Sequence, residues 1–220
     1  MIKLCIFDMD GLLIDSERCM WSPSMAIAAN KQGFSLSPEL HNTFRGMNFA
    51  SVGKILEKEF GPSFDYNLFL KDMHENNKHI IEEGIPLRPG VLELLDYLKQ
   101  NSIKTCIGTS TPRIEADKIL DVIGITKYFD AVVCGDEIKN GKPSPDIYLT
   151  CLAKFSGINK EEALIFEDGQ SGALAALASG MKLVLVPDLA MLNDEVKTKA
   201  FKVFNCINEI IPIIDSINNL

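Results

Sequence analysis

Residues 3–17 read KLCIFDMDGLLIDSE, and the fold is decided by this stretch. Leu4 to Phe7 is an apolar run of the right length for one buried strand. Asp8 and Asp10 follow it at once, and Gly11 comes next. Asp and Gly are common in turns, which explains Gly11 but not two acids at a strand tip. Unpaired carboxylates are costly at the end of a buried strand, so a strand that delivers two of them there is building a site.

Outward from that strand, the second half of the chain alternates between strand and helix signals. Pro89-Gly90 opens a helix with Val91, Leu92, Leu95 and Leu98 on its apolar face, and residues 105–108 form a strand. Thr111 is expected to cap a helix with Pro112 at its first position. A strand follows at 131–134. Ser144-Pro145 then starts a helix carrying Ile147, Tyr148, Cys151, Leu152 and Phe155. The pattern continues with a strand at 163–166, a helix at 171–179 ended by Gly180, and a strand at 183–186. Such alternation predicts an α/β fold, a Rossmann-like parallel sheet with helices on both faces.

Residues 16–83 carry no convincing strand. Ser22-Pro23 starts a helix ended by Gly33; Phe49, Val52, Ile55, Leu56 and Phe60 form a second helical face, and Phe69, Met73 and Ile80 a third. The expected organisation is a catalytic core made of residues 1–15 and 84–220, with an inserted α-helical cap domain at 16–83.

The bulk properties exclude several function classes. The 220 residues carry a net charge of −8, which argues against nucleic acid or an anionic membrane as partner. No apolar stretch is long enough to span a bilayer, and Asp8 and Asp10 interrupt what could be a leader. The cysteines, at 5, 19, 106, 134, 151 and 206, form no CxxC pair, so they read as thiols in a reducing, cytoplasmic setting.

Open parallel sheets bind ligands at the C-terminal ends of their strands. Four expected strand-end loops carry reactive groups: Asp8 and Asp10; Thr109 and Ser110 in IGTSTPR; Lys142 in NGKPSPD; Glu167 and Asp168 in IFEDGQSG. Any one of these is weak evidence, and Arg113 reads as a surface charge. The inference rests on their coincidence. Four acids facing one crevice repel one another unless cations intervene. Lys142 supplies one cation, and Mg²⁺, bound by Asp8, Asp10, Glu167 and Asp168, suits the second. Hydroxyls beside a helix N-terminus suit an anion. Metal and phosphate together imply phosphoryl transfer, with Asp8 as nucleophile, Asp10 as general acid and base, and Thr109 and Lys142 neutralising the transferred group.

The chain resembles the haloacid dehalogenase (HAD) superfamily of phosphatases. FDMDGLLIDSE is similar to the first motif of that superfamily, Thr109 to the second, Lys142 in NGKPSPDIYL to the third, and Glu167-Asp168 in FEDGQSGALAALASGM to the fourth. The helical insert is similar to the small cap of the β-phosphoglucomutase-like subgroup. The core resembles sugar-phosphate and pseudouridine-5'-phosphate phosphatases. The resemblance implies an Mg²⁺-dependent hydrolase of a small phosphorylated metabolite that acts through an aspartyl-phosphate; catalysis of this kind needs no second chain, so a monomer is expected, although the sequence does not determine the oligomeric state. Asp10 disfavours dehalogenation, which generally proceeds without an acid there. Mutases of the subgroup usually carry a histidine and an arginine where this chain has Met20 and Phe49, although Arg45 is near. A sugar phosphomutase is therefore the alternative, and a non-catalytic phosphometabolite binder ranks after it. Substrate choice is expected from the cap, through Arg45, Gly46 and Asn48.

Overall fold

The computed structural model describes residues 1–44, 49–189 and 192–219. The chain divides into two compact units, Met1–Ile14 with Leu87–Leu220, and Asp15–Pro86. Among the described residues the first unit holds a six-stranded sheet: β1 Leu4–Phe7, β2 Lys104–Gly108, β3 Ala131–Val133, β4 Ala163–Glu167, β5 Lys182–Leu185 and β6 Lys202–Val203. Every pairing is parallel, in the order β3-β2-β1-β4-β5-β6.

β1 is central. Its Leu4 lies opposite Lys104 on one side and Ala163 on the other, and its Phe7 opposite Ile107 and Phe166. A strand flanked on both edges and covered on both faces has no place for a polar side chain, which is why Leu4–Phe7 is wholly apolar and wholly buried.

The inserted unit is helical: α1 Ser22–Lys31, α2 Pro38–Thr43, α3 Phe49–Phe60 and α4 Tyr66–Glu83. It has its own core, in which Met25, Ala28, Ala29, Val52, Leu56, Phe69 and Met73 meet. Phe34 stacks on Phe60 with ring centroids 4.6 Å apart, and Phe64 meets Phe34 edge-on.

The sheet unit continues with α5 Val91–Gln100, α6 Arg113–Val122, α7 Asp146–Ala153, α8 Gln170–Ser179, α9 Asp194–Lys199 and α10 Ile211–Asn218. Leu4 and Ile6, two residues apart and so on one face of β1, pack with Ile147, Tyr148 and Cys151 of α7 and with Ala173, Ala175 and Ala176 of α8. Phe7, from the opposite side of the pleat, stacks on Phe166 at 4.7 Å. Each fully buried Leu, Ile or Phe contributes roughly 1.5–3 kcal/mol through the area it removes from water. The buried face of α8 is made of Ala, Gly and Ser, so its backbone can lie close to β4 and β5.

Five details differ from the sequence reading. Leu92 is 47% exposed, and Leu94 takes its place in the buried face of α5. On α4 the buried residue is Ile81 rather than Ile80, because the helical period from Phe69 through Met73 and Asn77 reaches 81. Phe155 falls beyond the end of α7 but still packs on the core. Thr111 does not cap α6: the N-cap is Pro112, and the Thr111 hydroxyl is engaged elsewhere. Cys19 and Cys206 are only partly buried, whereas the other four thiols are buried; all six are free.

The strand order reverses direction between β1 and β4, with β2 and β3 added on one side and β5 and β6 on the other. A doubly wound sheet opens a crevice beyond the C-terminal strand ends at such a reversal. Asp8 follows β1 directly, and Glu167 closes β4.

Candidate active site

Lys142 organises the crevice. Its Nζ lies 2.5 Å from Asp8 Oδ1 and 2.7 Å from Glu167 Oε1, and its side chain is 7% exposed. Burial alone works to lower the Lys142 pKa, but the Asp8 and Glu167 carboxylates outweigh it and hold the ammonium well above its ordinary range. Burial pushes the Asp8 carboxyl up to about 7; Lys142 pulls against that, while Glu167 and Asp10 add repulsion.

The Glu167 carboxylate is held from both ends. The Tyr148 hydroxyl donates to Oε1, the oxygen that also receives Lys142. Oε2 accepts the Asp168 and Gly169 backbone N–H groups at 3.1 and 3.3 Å. These two N–H groups lead into α8, Gly169 being its N-cap, where a carboxylate near the helix N-terminus is favoured. Gly172 makes room for this arrangement, because a Cβ there would overlap the Glu167 carboxylate. Gly11 does the same for Asp168: its φ of +81° is left-handed, and a Cβ would meet Asp168 Oδ2.

Beyond β1 the chain turns back on itself, with Leu13 N donating to Met9 O and Gly11 N to Ile14 O. This turn places Asp10, whose Oδ2 accepts the Thr111 hydroxyl at 2.7 Å. Thr109 is 1% exposed; its N–H donates to Val133 O and its Oγ1 accepts Thr111 N at 3.1 Å. Ser110 is exposed.

The structure therefore brings Asp8, Lys142, Glu167 and Asp168 into one cluster. Among the described residues, ligand oxygens of Asp8, Glu167 and Asp168 lie within 4.8 Å of one another. Asp10 is outside that trio, with its carboxylate on Thr111. Three carboxylates against one ammonium leave two negative charges, and an all-oxygen donor set with that charge fits a hard divalent cation. Arg113, expected as a surface charge, instead ties α6 to the end of β3. Its Nε donates to Glu137 Oε1 at 2.8 Å and its Nη2 to Val132 O at 2.7 Å. Arg45, Gly46 and Asn48 lie outside the described residues.

Two residues with a part in the site escaped the sequence reading. Tyr148 sits on an aliphatic helical face and read as core; a buried phenol needs a hydrogen-bond partner, and that was the available signal. Thr111 read as a cap.

The family model described as haloacid dehalogenase-like hydrolase matches residues 5–186. The chain is similar to a phosphorylated carbohydrates phosphatase of Thermotoga maritima, with 35% identity over 183 residues covering 83% of this chain and 84% of the other. It is similar to (DL)-glycerol-3-phosphatase 2 of Arabidopsis thaliana, with 32% identity over 194 residues covering 83% and 78%. The crystal structure of a β-phosphoglucomutase from Clostridium difficile superposes with a TM-score of 0.77 at 27% identity, covering 100% of this chain and 98% of that one.

Proposed function

The chain belongs to the haloacid dehalogenase-like hydrolase family and is a phosphatase of that family, and we propose that it hydrolyses a small phosphomonoester of the sugar-phosphate or nucleotide type, with Mg²⁺ and through an aspartyl-phosphate at Asp8. The observation that carries this reading is the buried cluster of Asp8, Glu167 and Asp168 around Lys142 at the C-terminal ends of β1 and β4. The names of the relatives, which specify phosphorylated carbohydrates and glycerol 3-phosphate, support the substrate class.

In this reading Asp8 attacks phosphorus, and the bond from phosphorus to the ester oxygen breaks with its electron pair going to that oxygen. Asp10 protonates the departing alcohol. It then takes a proton from the water that attacks the phosphoaspartate, which returns Asp8 to carboxylate and releases phosphate. Lys142 and the Thr109 hydroxyl neutralise and orient the phosphoryl oxygens, and Ser110 offers further donors near the start of α6. Asp8, Glu167 and Asp168 are the residues that would hold Mg²⁺. When bound, the ion supplies positive charge to the transferring group.

Substrate choice is assigned to the inserted unit, in which Arg45, Gly46 and Asn48 lie. The free thiols, four of them buried, support a reducing cytoplasmic setting. Among the described residues no helix is long and apolar enough to cross a membrane.

Turnover of 4-nitrophenyl phosphate is expected to need Mg²⁺ and to stop on chelation. Asp8→Asn is expected to form no acid-stable phosphoprotein. Full turnover after chelation, or by Asp8→Asn, overturns the reading.

The likeness to a β-phosphoglucomutase favours a second reading, transfer of phosphate within one sugar. Conversion of β-glucose 1-phosphate, primed with a sugar bisphosphate, to glucose 6-phosphate without free phosphate selects it; release of inorganic phosphate selects the hydrolase.

A further inference from the structure

The Thr111 hydroxyl does not serve the helix that it was expected to cap. Thr111 lies just ahead of Pro112, the N-cap of the ten-residue helix α6, yet the first N–H of that helix, that of Arg113, donates to Asp136 Oδ1 at 3.0 Å and not to Thr111. The hydroxyl instead donates to Asp10 Oδ2 at 2.7 Å, across 101 residues of sequence. Thr111 is 7% exposed, and its own backbone is fixed on both sides. Its N–H donates to Thr109 Oγ1 at 3.1 Å, and its carbonyl accepts Gly135 N at 3.3 Å. The hydroxyl is therefore a donor on a rigid mount, aimed at the acid on the neighbouring strand's loop.

We propose that Thr111 is a positioning residue for Asp10: its hydroxyl donates to Oδ2 and helps to orient the carboxylate for proton exchange with the leaving alcohol and with water. The inference rests on the acid and base role proposed above for Asp10. In the first step the proton on Asp10 passes to the departing ester oxygen as its bond to phosphorus breaks. In the second, a water proton returns to Asp10 as the oxygen of that water bonds to phosphorus and Asp8 leaves. Thr111 loses no proton in either step. Its contribution is orientation, because the terminal torsion of a carboxylate is intrinsically broad and proton transfer depends on the geometry in which the acid is held.

The mount also links two tasks. Thr109 accepts the Thr111 N–H, so the group proposed to hold phosphate and the group that aims the acid belong to one hydrogen-bonded turn.

Leaving-group dependence tests the proposal. The ratio kcat/KM covers only the steps up to loss of the leaving group. It is measured with 4-nitrophenyl phosphate, whose phenolate leaves without a proton, and with phenyl phosphate, which needs one. Thr111→Val keeps the shape and removes the donor. It is expected to lower kcat/KM for phenyl phosphate about tenfold, part of the 10²–10⁴ that general acid–base help typically provides, and to leave 4-nitrophenyl phosphate within about twofold. Thr111→Ser is expected to restore both. A uniform loss on the two esters, or no loss, overturns the positioning role, as does failure of Thr111→Ser to rescue. Asp10→Asn, measured alongside, separates the two ideas. If Asp10→Asn shows no selective loss on phenyl phosphate, the acid role of Asp10 fails; if it does and Thr111→Val does not, only the role of Thr111 fails. Thermal melting of each variant, with midpoints expected within a few degrees of the parent, establishes that the comparison is between folded proteins.

Discussion

The Tyr148 hydroxyl and Lys142 Nζ converge on a single oxygen, Glu167 Oε1, and the ammonium also lies 5.0 Å from the centre of the Tyr148 ring. A residue of α7 therefore braces both the lysine from the preceding loop and the acid that ends β4. Burial pushes the Tyr148 phenol well above its ordinary range, with the Glu167 charge acting in the same direction, so it stays a donor at any working pH.

Tyr148→Phe removes that donor and leaves Oε1 to Lys142. Loss of a buried hydrogen bond to a charged group is expected to cost roughly 1.5–3 kcal/mol in urea denaturation. Looser support for Glu167 is expected to weaken Mg²⁺ binding about tenfold, the lower end of outer-ligand effects. Titration calorimetry checks this, and unchanged affinity would show that Lys142 and the Asp168 and Gly169 amides hold Glu167 unaided.

Lys142→Met leaves two buried carboxylates, Asp8 and Glu167, without the ammonium between them. Removing one member of a buried ion pair typically costs about 3–5 kcal/mol, so the metal-free variant is expected to melt well below the parent. Mg²⁺ is expected to recover part of the loss and none of the turnover. Melting curves with and without the ion check it; a variant as stable as the parent without metal contradicts the pairing.

Gly172→Ala sets two effects against each other. Alanine is favoured over glycine within a helix by about 1 kcal/mol. Here its Cβ overlaps the Glu167 carboxylate, and forcing atoms into a packed site costs roughly 1–3 kcal/mol. The steric cost is expected to win, with lower stability and weaker Mg²⁺ binding together. A stabilised variant with unchanged metal affinity would mean that Glu167 can move aside freely.

Asp130 predicts a pH dependence away from the site. It pairs with Lys104 at 2.6 Å and accepts Thr105 N at 2.9 Å. Partial burial works to raise its pKa, but these partners prevail and hold it below the ordinary carboxylate value. A lowered folded-state pKa gives stability that is present above the unfolded value, near about 3.9, and is lost as pH falls through the folded one. Asp130→Asn is expected to cost about 1 kcal/mol near neutral pH, discounted for its exposure, with the difference from the parent closing in acid once the pH has fallen through the lowered folded-state pKa. Denaturation near neutral pH and in acid checks it; a gap that widens in acid contradicts the sign.

The strands that frame the site were legible because a buried parallel strand is largely an apolar run; β1, β4 and β5 each present one of three or more residues, and β2 a shorter one after Thr105. β6 was not, because two exposed residues at a sheet edge carry no pattern. The short helix α2 went unseen for a similar reason: it buries no residue, so its six positions show no apolar period. On α4, Ile80 and Ile81 are adjacent and both apolar, and only packing distinguishes them.

The sequence by itself determined the α/β class, the helical insert and the set of acids and lysine at the strand ends, because hydrophobic period and charge are local properties of the chain. Only the tertiary structure decided which of those groups meet. Lys142 reaches Asp8 across 134 residues, Thr111 reaches Asp10 across 101, and Tyr148 reaches Glu167 across 19. A hydroxyl has the same local signature whether it caps a helix, packs in a core or holds a carboxylate. Its partner is fixed only when β2 and β4 register against β1 and their loops come within hydrogen-bond reach.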